Sequence, residues 1–308
     1  MTSAESSAQP VEPVVDVTPE VSGEPPTVSS VDEGWVALGG SDSLSWSEAD
    51  RVAARDAATI VLVAGNQEAG KTTLLLQLWA QFLTGPFADL RFAGSETLDA
   101  FDDRHYPCRL DSGNPYPQTE HTTDTDTRFL HLRLADDAGT YISLLMTDLW
   151  GELFENISRG GSVPDRVPVA QRAHKAMILI DGEQVSDPTK REVALRNARL
   201  LIGAFAAPGG IDHAAPMMVL LSKADELTES DEAWYRDKVL ALVDFAAALG
   251  FADVMEHRVA ARPRGEDPVG LEEILVWMCA RSEPAPAAVP DPLSASNRVF
   301  IAGRMASQ

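Results

Sequence analysis

The chain has 308 residues, enough for one large domain or two small ones with a sizeable core. Its hydrophobic fraction, 44%, is ordinary for a globular protein, but 47 acidic against 25 basic residues leave a net charge of −22. Such a surface repels phosphate backbones and anionic lipid, which argues against a nucleic-acid or membrane-surface binder while leaving room for a local basic pocket.

Residues 1–35 are rich in Pro, Ser, Glu, Val and Thr and hold seven acidic residues and no basic one. Such a stretch buries too little apolar surface to offset its chain entropy, so a disordered acidic leader is expected, either simply solvating or a docking arm for a partner. No basic region precedes an apolar run there, so it does not read as a secretory signal. No run in the chain approaches the length of a bilayer span, and a soluble cytoplasmic protein is the expectation. Residues 36–56 lead into a domain expected over 57–282.

Thr59–Ala64 (TIVLVA) is a short β-branched apolar run ending at Gly65, which predicts a buried strand. The spacing of Leu74, Leu75, Leu78, Trp79 and Phe82 predicts a helix over Lys71–Leu83. Leu130–Leu134 alternates, placing His131 and Arg133 on the face opposite the leucines; the turn residues Asp136–Gly139 and the run Tyr141–Met146 complete a hairpin. Ala176–Ile180 and Met217–Leu221 read as further buried strands with helical patterns behind them, and one more strand precedes Val259. Leu240–Phe251 reads as a buried helical stretch, and Leu271–Met278 closes the domain as a helix. The sum is an α/β fold with a mainly parallel six-stranded sheet, one antiparallel edge hairpin and helices on both faces. Residues 283–308 form a Pro/Ala-rich linker and a short apolar, basic segment, Arg298–Met305, that docks on the domain or on a partner. Cys108 and Cys279 match no metal or redox spacing and read as thiols.

Between the first strand and helix stand Gly65, Asn66, Gln67, Glu68, Ala69, Gly70, Lys71 and Thr72, a full GxxxxGK[ST] match followed by Thr73. Chance produces this pattern in roughly one chain of this length in a hundred, and still more rarely between a strand and a helix. The glycines let the backbone curl so that successive N–H groups face phosphates, and the helix N-terminus adds partial positive charge. Lys71 reaches the terminal phosphates and the Thr72 hydroxyl ligates Mg²⁺. Asp148–Gly151 (DLWG) then puts a carboxylate at a strand end, where it holds the Mg²⁺ shell, and a glycine N–H where it contacts a γ-phosphate. Ser222-Lys223-Ala224-Asp225 matches [NTS]KxD: one carboxylate, Asp225, accepts both N1–H and the 2-amino group of guanine, a pair adenine does not present, while the Lys223 stem covers the base. A base-capping amide is expected in Val259–Arg262, at Ala260 or Ala261. The threonine that closes over Mg²⁺ should precede the Leu130 strand; Thr122 is the first choice, with Thr119 and Thr123 as rivals.

With these residues in place, the chain resembles the translation-factor-like and Ras-like class of P-loop GTPases. More narrowly it resembles the bacterial double-GTPase family, second type, predicted to operate in conflict or defence gene clusters. The stretches that carry this are Gly65–Asp102, Thr147–Glu155 (TDLWGELFE) and Leu179–Gln184 (LIDGEQ), with Gly85-Pro86-Phe87 and Arg91–Ser95 the most distinctive pieces. The resemblance implies a Ras-like sheet, GTP and GDP as ligands, Mg²⁺ dependence, and work beside a second GTPase and effector proteins. It also exposes departures. Residues 84–128 enlarge the first switch region. Ser222 stands for the more usual Asn or Thr. Glu152 follows DxxG where Ras-like enzymes carry a water-positioning glutamine, and a carboxylate accepts from water but does not donate, so slow intrinsic hydrolysis is expected. Arg109 and Arg128 are the candidates for an arginine acting in cis. The competing readings are a nucleotide-bound interaction module with negligible turnover and, further off, a P-loop ATPase or small-molecule kinase.

Overall fold

The computed structural model describes residues 43–105, 127–263 and 267–280, all within one compact unit, residues 38–308. The leader, the C-terminal segment, Cys108, Arg109, Thr119, Thr122 and Thr123 lie outside the described residues. Helix α1 (Trp46–Asp56) comes from the lead-in segment; Leu44 exchanges two backbone hydrogen bonds with Phe129, and Trp46 packs against the Phe129 ring, centroids 5.6 Å apart. Strand β1 (Thr59–Ala64) and helix α2 (Lys71–Gln81) follow, then β2 (Leu90–Gly94), α3 (Leu98–His105), β3 (Phe129–Asp136) and β4 (Tyr141–Thr147). Next come α4 (Gly151–Ser158), α5 (Val163–Arg166), β5 (Lys175–Asp181), α6 (Gly182–Ser186), α7 (Arg191–Phe205), β6 (Met217–Ser222), α8 (Glu229–Ala248), β7 (Val254–Arg258) and α9 (Leu271–Cys279).

These strands make one sheet in the order β2-β3-β4-β1-β5-β6-β7. β1 runs parallel to β4 and β5, and β5, β6 and β7 continue parallel, while β3 is antiparallel to both of its neighbours. Strand alternation sends Ile60, Leu62, Ile178, Ile180, Val219 and Leu221 to the face covered by α1, α4, α7 and α8. Val61, Val63, Met177, Leu179, Met218 and Leu220 go to the face covered by α2, α3 and α9. Both faces are therefore dry, as the near-continuous apolar strands predict. Among the described residues no helix is long and apolar enough to cross a membrane.

Three points bear on these expectations. The sheet has seven strands rather than six, because β2 joins the hairpin edge. Its turn is a two-residue hairpin with Ala88 and Asp89 both left-handed (φ 53° and 58°), closed by reciprocal Phe87–Leu90 hydrogen bonds of 3.0 Å. That backbone ordinarily asks for Asn-Gly, so no glycine marks the turn in the sequence. Secondly, His131 lies opposite the leucines, as expected, and that side is closed over it. It is 1% exposed, enclosed by the Ser95–Thr97 loop and Ser143 of β4. Nδ1 accepts the Glu96 N–H at 2.9 Å, which leaves the proton on Nε2 for Ser143 Oγ, also 2.9 Å away. Thirdly, Leu240–Phe251 is split between the long α8 and its exit: Leu242, Ala246 and Phe251 are buried, but Leu240 is 58% exposed. Cys279 is a free, half-buried thiol whose burial pushes its pKa up to about 12.

Burial also lowers the His131 pKa to about 4, from an ordinary 6.5. The folded chain keeps the ring neutral where the unfolded chain protonates it, so stability falls as pH drops from about 6.5 towards 4. Between pH 7.5 and 5.5 the native chain should lose roughly 1 kcal/mol more stability than His131→Gln, measured by urea unfolding. Parallel pH slopes for the two proteins would show that the ring titrates normally.

Candidate functional site

The site lies where the chain leaves β1. The β1–β4 ladder ends at Val61 and Met146; beyond it Thr147 Oγ1 accepts the Val63 N–H at 2.9 Å, so a side chain replaces the ladder as the strands part. β1 continues through the Gly65 turn into α2 on one face of the sheet, whereas its neighbours β4 and β5 lead to α4 and α7 on the other, so the connections part here, at the crevice where open α/β sheets bind ligands. Glu68 (φ 62°) and Gly70 (φ 80°) are left-handed, so the loop curls round as it enters α2.

Lys71 opens α2 and is 7% exposed. Its Nζ donates to the Gly65 and Asn66 carbonyls, both at 2.9 Å, and lies 5.7 Å from the centre of the Phe154 ring. Among the described residues no carboxylate stands within ion-pair distance of it, and burial lowers its pKa to about 8 although Asp148 and Glu155 pull it back up. An ammonium in that setting is most stable beside an anion. The next residue, Thr72, donates its hydroxyl to Asp148 Oδ1 at 3.0 Å, and the Asp148 side chain is fully buried. Among the described residues there is no group of three or more His, Cys, Asp or Glu that could hold a metal. A hydroxyl and one carboxylate suit Mg²⁺ instead, an ion that takes few protein ligands and completes its shell with water and phosphate oxygens. At the far side Ser222 lies against the loop: a Cβ on Gly70 would sit 3.8 Å from Ser222 Cβ. The predicted phosphate, metal and base motifs thus adjoin in space.

A family model described as Double-GTPase 2 matches residues 59–278. The chain belongs to this family. Among solved structures it is similar to a bacterial selenocysteine-specific elongation factor, EF-Sec, at 13% identity over 65% of this chain and 25% of that one, with a TM-score of 0.34. It is similar to translation elongation factor SelB from Methanococcus maripaludis, solved with the GTP analogue GppNHp, at 12% identity over 74% and 35%, TM-score 0.39. The signal recognition particle receptor SRb-GTP/SRX complex from Chaetomium thermophilum gives 14% over 72% and 97%, TM-score 0.38. The chain therefore spans about a quarter and a third of the two elongation factors' lengths. No curated protein matches it.

In this Double-GTPase 2 chain the base motif is braced by the LIDGEQ stretch. Lys223, left-handed at φ 48°, donates to Asp181 Oδ2 at 3.2 Å and Glu183 Oε2 at 2.9 Å. Burial alone would lower the Lys223 pKa, but the two carboxylates outweigh it and raise it. Gly182 makes room for the loop, since a Cβ there would meet the Ser222 and Lys223 carbonyls at 2.4 Å. Ser222 Oγ donates to the Ile180 carbonyl at 3.2 Å, tying the motif to β5 rather than to the P-loop. Asp225 is exposed in a short 3-10 turn and makes no hydrogen bond among the described residues. In the capping loop, the Ala260 N–H is already spent on the Val269 carbonyl at 3.0 Å, which leaves Ala261 as the amide with no partner among the described residues. Glu152 sits half-buried in the first turn of α4. Of the proposed arginines, Arg109 lies outside the described residues, and Arg128 meets Asp148 through its backbone carbonyl, 3.0 Å from the Asp148 N–H.

The residue that sequence reasoning missed is Arg104. Its Nη1 donates to Asp148 Oδ2 at 2.7 Å and its Nη2 to Ser43 Oγ at 3.2 Å. Only the placement of α3 brings it there, and no local pattern announces that.

Gly151 is a joint as tight as Gly182. A Cβ there would stand 2.4 Å from Gln67 Cα and 2.5 Å from its N, so the DxxG turn rests directly on the P-loop backbone. Gly151→Ala must push one or the other aside at a cost of about 1–3 kcal/mol. Binding of fluorescent GTP should weaken about tenfold or more, with secondary structure retained; native-like affinity would mean the two turns are not held together.

Proposed function

We propose that this chain binds GTP with Mg²⁺ and hydrolyses it to GDP and phosphate, slowly when alone. The observation that carries the reading is the buried Lys71 ammonium, whose hydrogen-bond partners among the described residues are carbonyls, beside the Thr72–Asp148 pair and against the Ser222 loop. In it, the amides of residues 65–73 and the Lys71 ammonium hold the phosphates, and a phosphate oxygen supplies the charge that Lys71 lacks. Thr72 and Asp148 hold Mg²⁺, their direct hydrogen bond giving way, and Thr122 is the proposed closing ligand. Once bound, Mg²⁺ neutralises charge that builds on the phosphate oxygens. The Gly151 N–H faces the terminal phosphate. Glu152 accepts a hydrogen bond from the attacking water but offers no N–H in return, the basis for slow turnover. Asp225 reads guanine, Lys223 covers its plane, and the Ala261 N–H meets its carbonyl. The family's description, Double-GTPase 2, supports a further proposal, that the chain works beside a second GTPase; work with effector proteins in a bacterial conflict system, in the cytoplasm, is proposed from the sequence resemblance alone.

A second reading, a nucleotide-bound module with negligible hydrolysis, is favoured by the same Glu152. One experiment on the full chain separates them. Labelled GTP should bind the native protein but not Lys71→Ala, resist about 100-fold excess ATP because Asp225 would face an unpaired base edge, and release phosphate in a single turnover faster than free GTP. A rate equal to that of free GTP favours the module, and displacement by ATP overturns guanine selection.

A further inference from the structure

Arg104 stands at the last turn of α3, inside the segment that separates α2 from β3. Its position is fixed on three sides. Phe101 stacks on Trp79 of α2 at 5.4 Å with 15° between the rings, and His105 meets the same indole edge-on at 5.5 Å. The guanidinium itself bridges Asp148 and Ser43, and Ser43 is held by the Leu44–Phe129 pairing at the edge of the sheet. The Arg104 side chain is 28% exposed, while the Asp148 carboxylate is fully buried. One oxygen of that carboxylate takes the guanidinium and the other takes the Thr72 hydroxyl at 3.0 Å. A fixed positive fork therefore stands one carboxylate away from the hydroxyl that begins the phosphate-binding helix.

We propose that Arg104 is a catalytic arginine supplied in cis to the terminal phosphate, and that its ion pair with Asp148 is where it rests before nucleotide binds. This rests on the GTP reading of the site. When Mg²⁺ and a triphosphate enter, Asp148 turns to the metal's water shell, so the guanidinium loses its share of that carboxylate. Several new anionic oxygens arrive beside it at the same moment. A planar guanidinium bonds phosphate oxygens in pairs, which an ammonium does not do, and α3 can stay where Trp79 holds it while the long side chain swings. The positive charge then lies on the oxygens that gain charge as the bond to the leaving phosphate breaks, the role an arginine in cis plays in other nucleotide hydrolases. It also answers the chemistry of Glu152, which leaves that side of the pocket without an N–H donor.

The test uses GDP with aluminium fluoride, a transition-state mimic read by the rate of nucleotide release rather than by turnover. Release of fluorescent GDP from the full native chain in Mg²⁺ should slow about tenfold or more when aluminium fluoride is added, without any partner. Arg104→Ala should bind GDP within about twofold of native and show no slowing. Arg104→Lys, which keeps the charge and the Asp148 pair but loses the fork, should show a small fraction of the effect. Slowing that survives in Arg104→Ala, with tighter Mg²⁺ binding, would make Arg104 only a latch on Asp148 and overturn the proposal; so would a native protein that holds GDP but ignores aluminium fluoride. A native protein that does not bind GDP overturns the GTP reading itself.

Discussion

A buried ammonium that pairs with no carboxylate among the described residues organises this molecule. Lys71 is drawn under the Gly65 turn by two carbonyls and a phenyl ring, and the rest of the site can be read as the framework that keeps it there. Burying an unpaired charge costs several kcal/mol, so the arrangement makes sense when an anion completes it. The sheet supplies the position: β1 is central, its ladder with β4 stops at Met146, two residues before Asp148, and the Gly65 turn that holds the charge follows at the end of β1. Tight glycines do the remaining work, Gly151 against the P-loop and Gly182 against the base loop, each where a Cβ would collide with backbone.

How much of this was legible depends on whether the determinant was local. The phosphate loop, DxxG and SKAD could be read because glycine conformations, strand exits and the order of motifs are written within a few residues of each other. The β3–β4 hairpin was legible for the same reason, an alternating strand followed by a turn. β2 was not, since a turn made by Ala88 and Asp89 carries no glycine and Phe92 remains 38% exposed on the edge strand. The alternation gave the face of His131 but not its burial, because its cover, the loop from Ser95 to Thr97, lies more than thirty positions away in the chain. Arg104 was invisible on the same grounds: its partner is 44 residues distant, and an arginine at a helix end is ordinarily a solvated charge.

The net charge of −22 and the pocket are not in conflict. Acidic residues dominate the surface as a whole, while Lys71, Arg104 and Lys223 gather around one crevice, each set in contact with backbone or carboxylate groups that orient it. A general affinity for polyanions is thereby discouraged, and one small, highly charged ligand is still accommodated. Lys223 shows the same pattern: Asp181 and Glu183 hold its ammonium head.

The central claim is that this pocket exists for a guanine nucleotide. Gentle purification of the full chain in Mg²⁺, denaturation and chromatographic identification of the released small molecules tests it most directly. The account predicts GDP or GTP, close to one per chain. An adenine nucleotide in its place, or an empty protein that ignores added GTP, would contradict it.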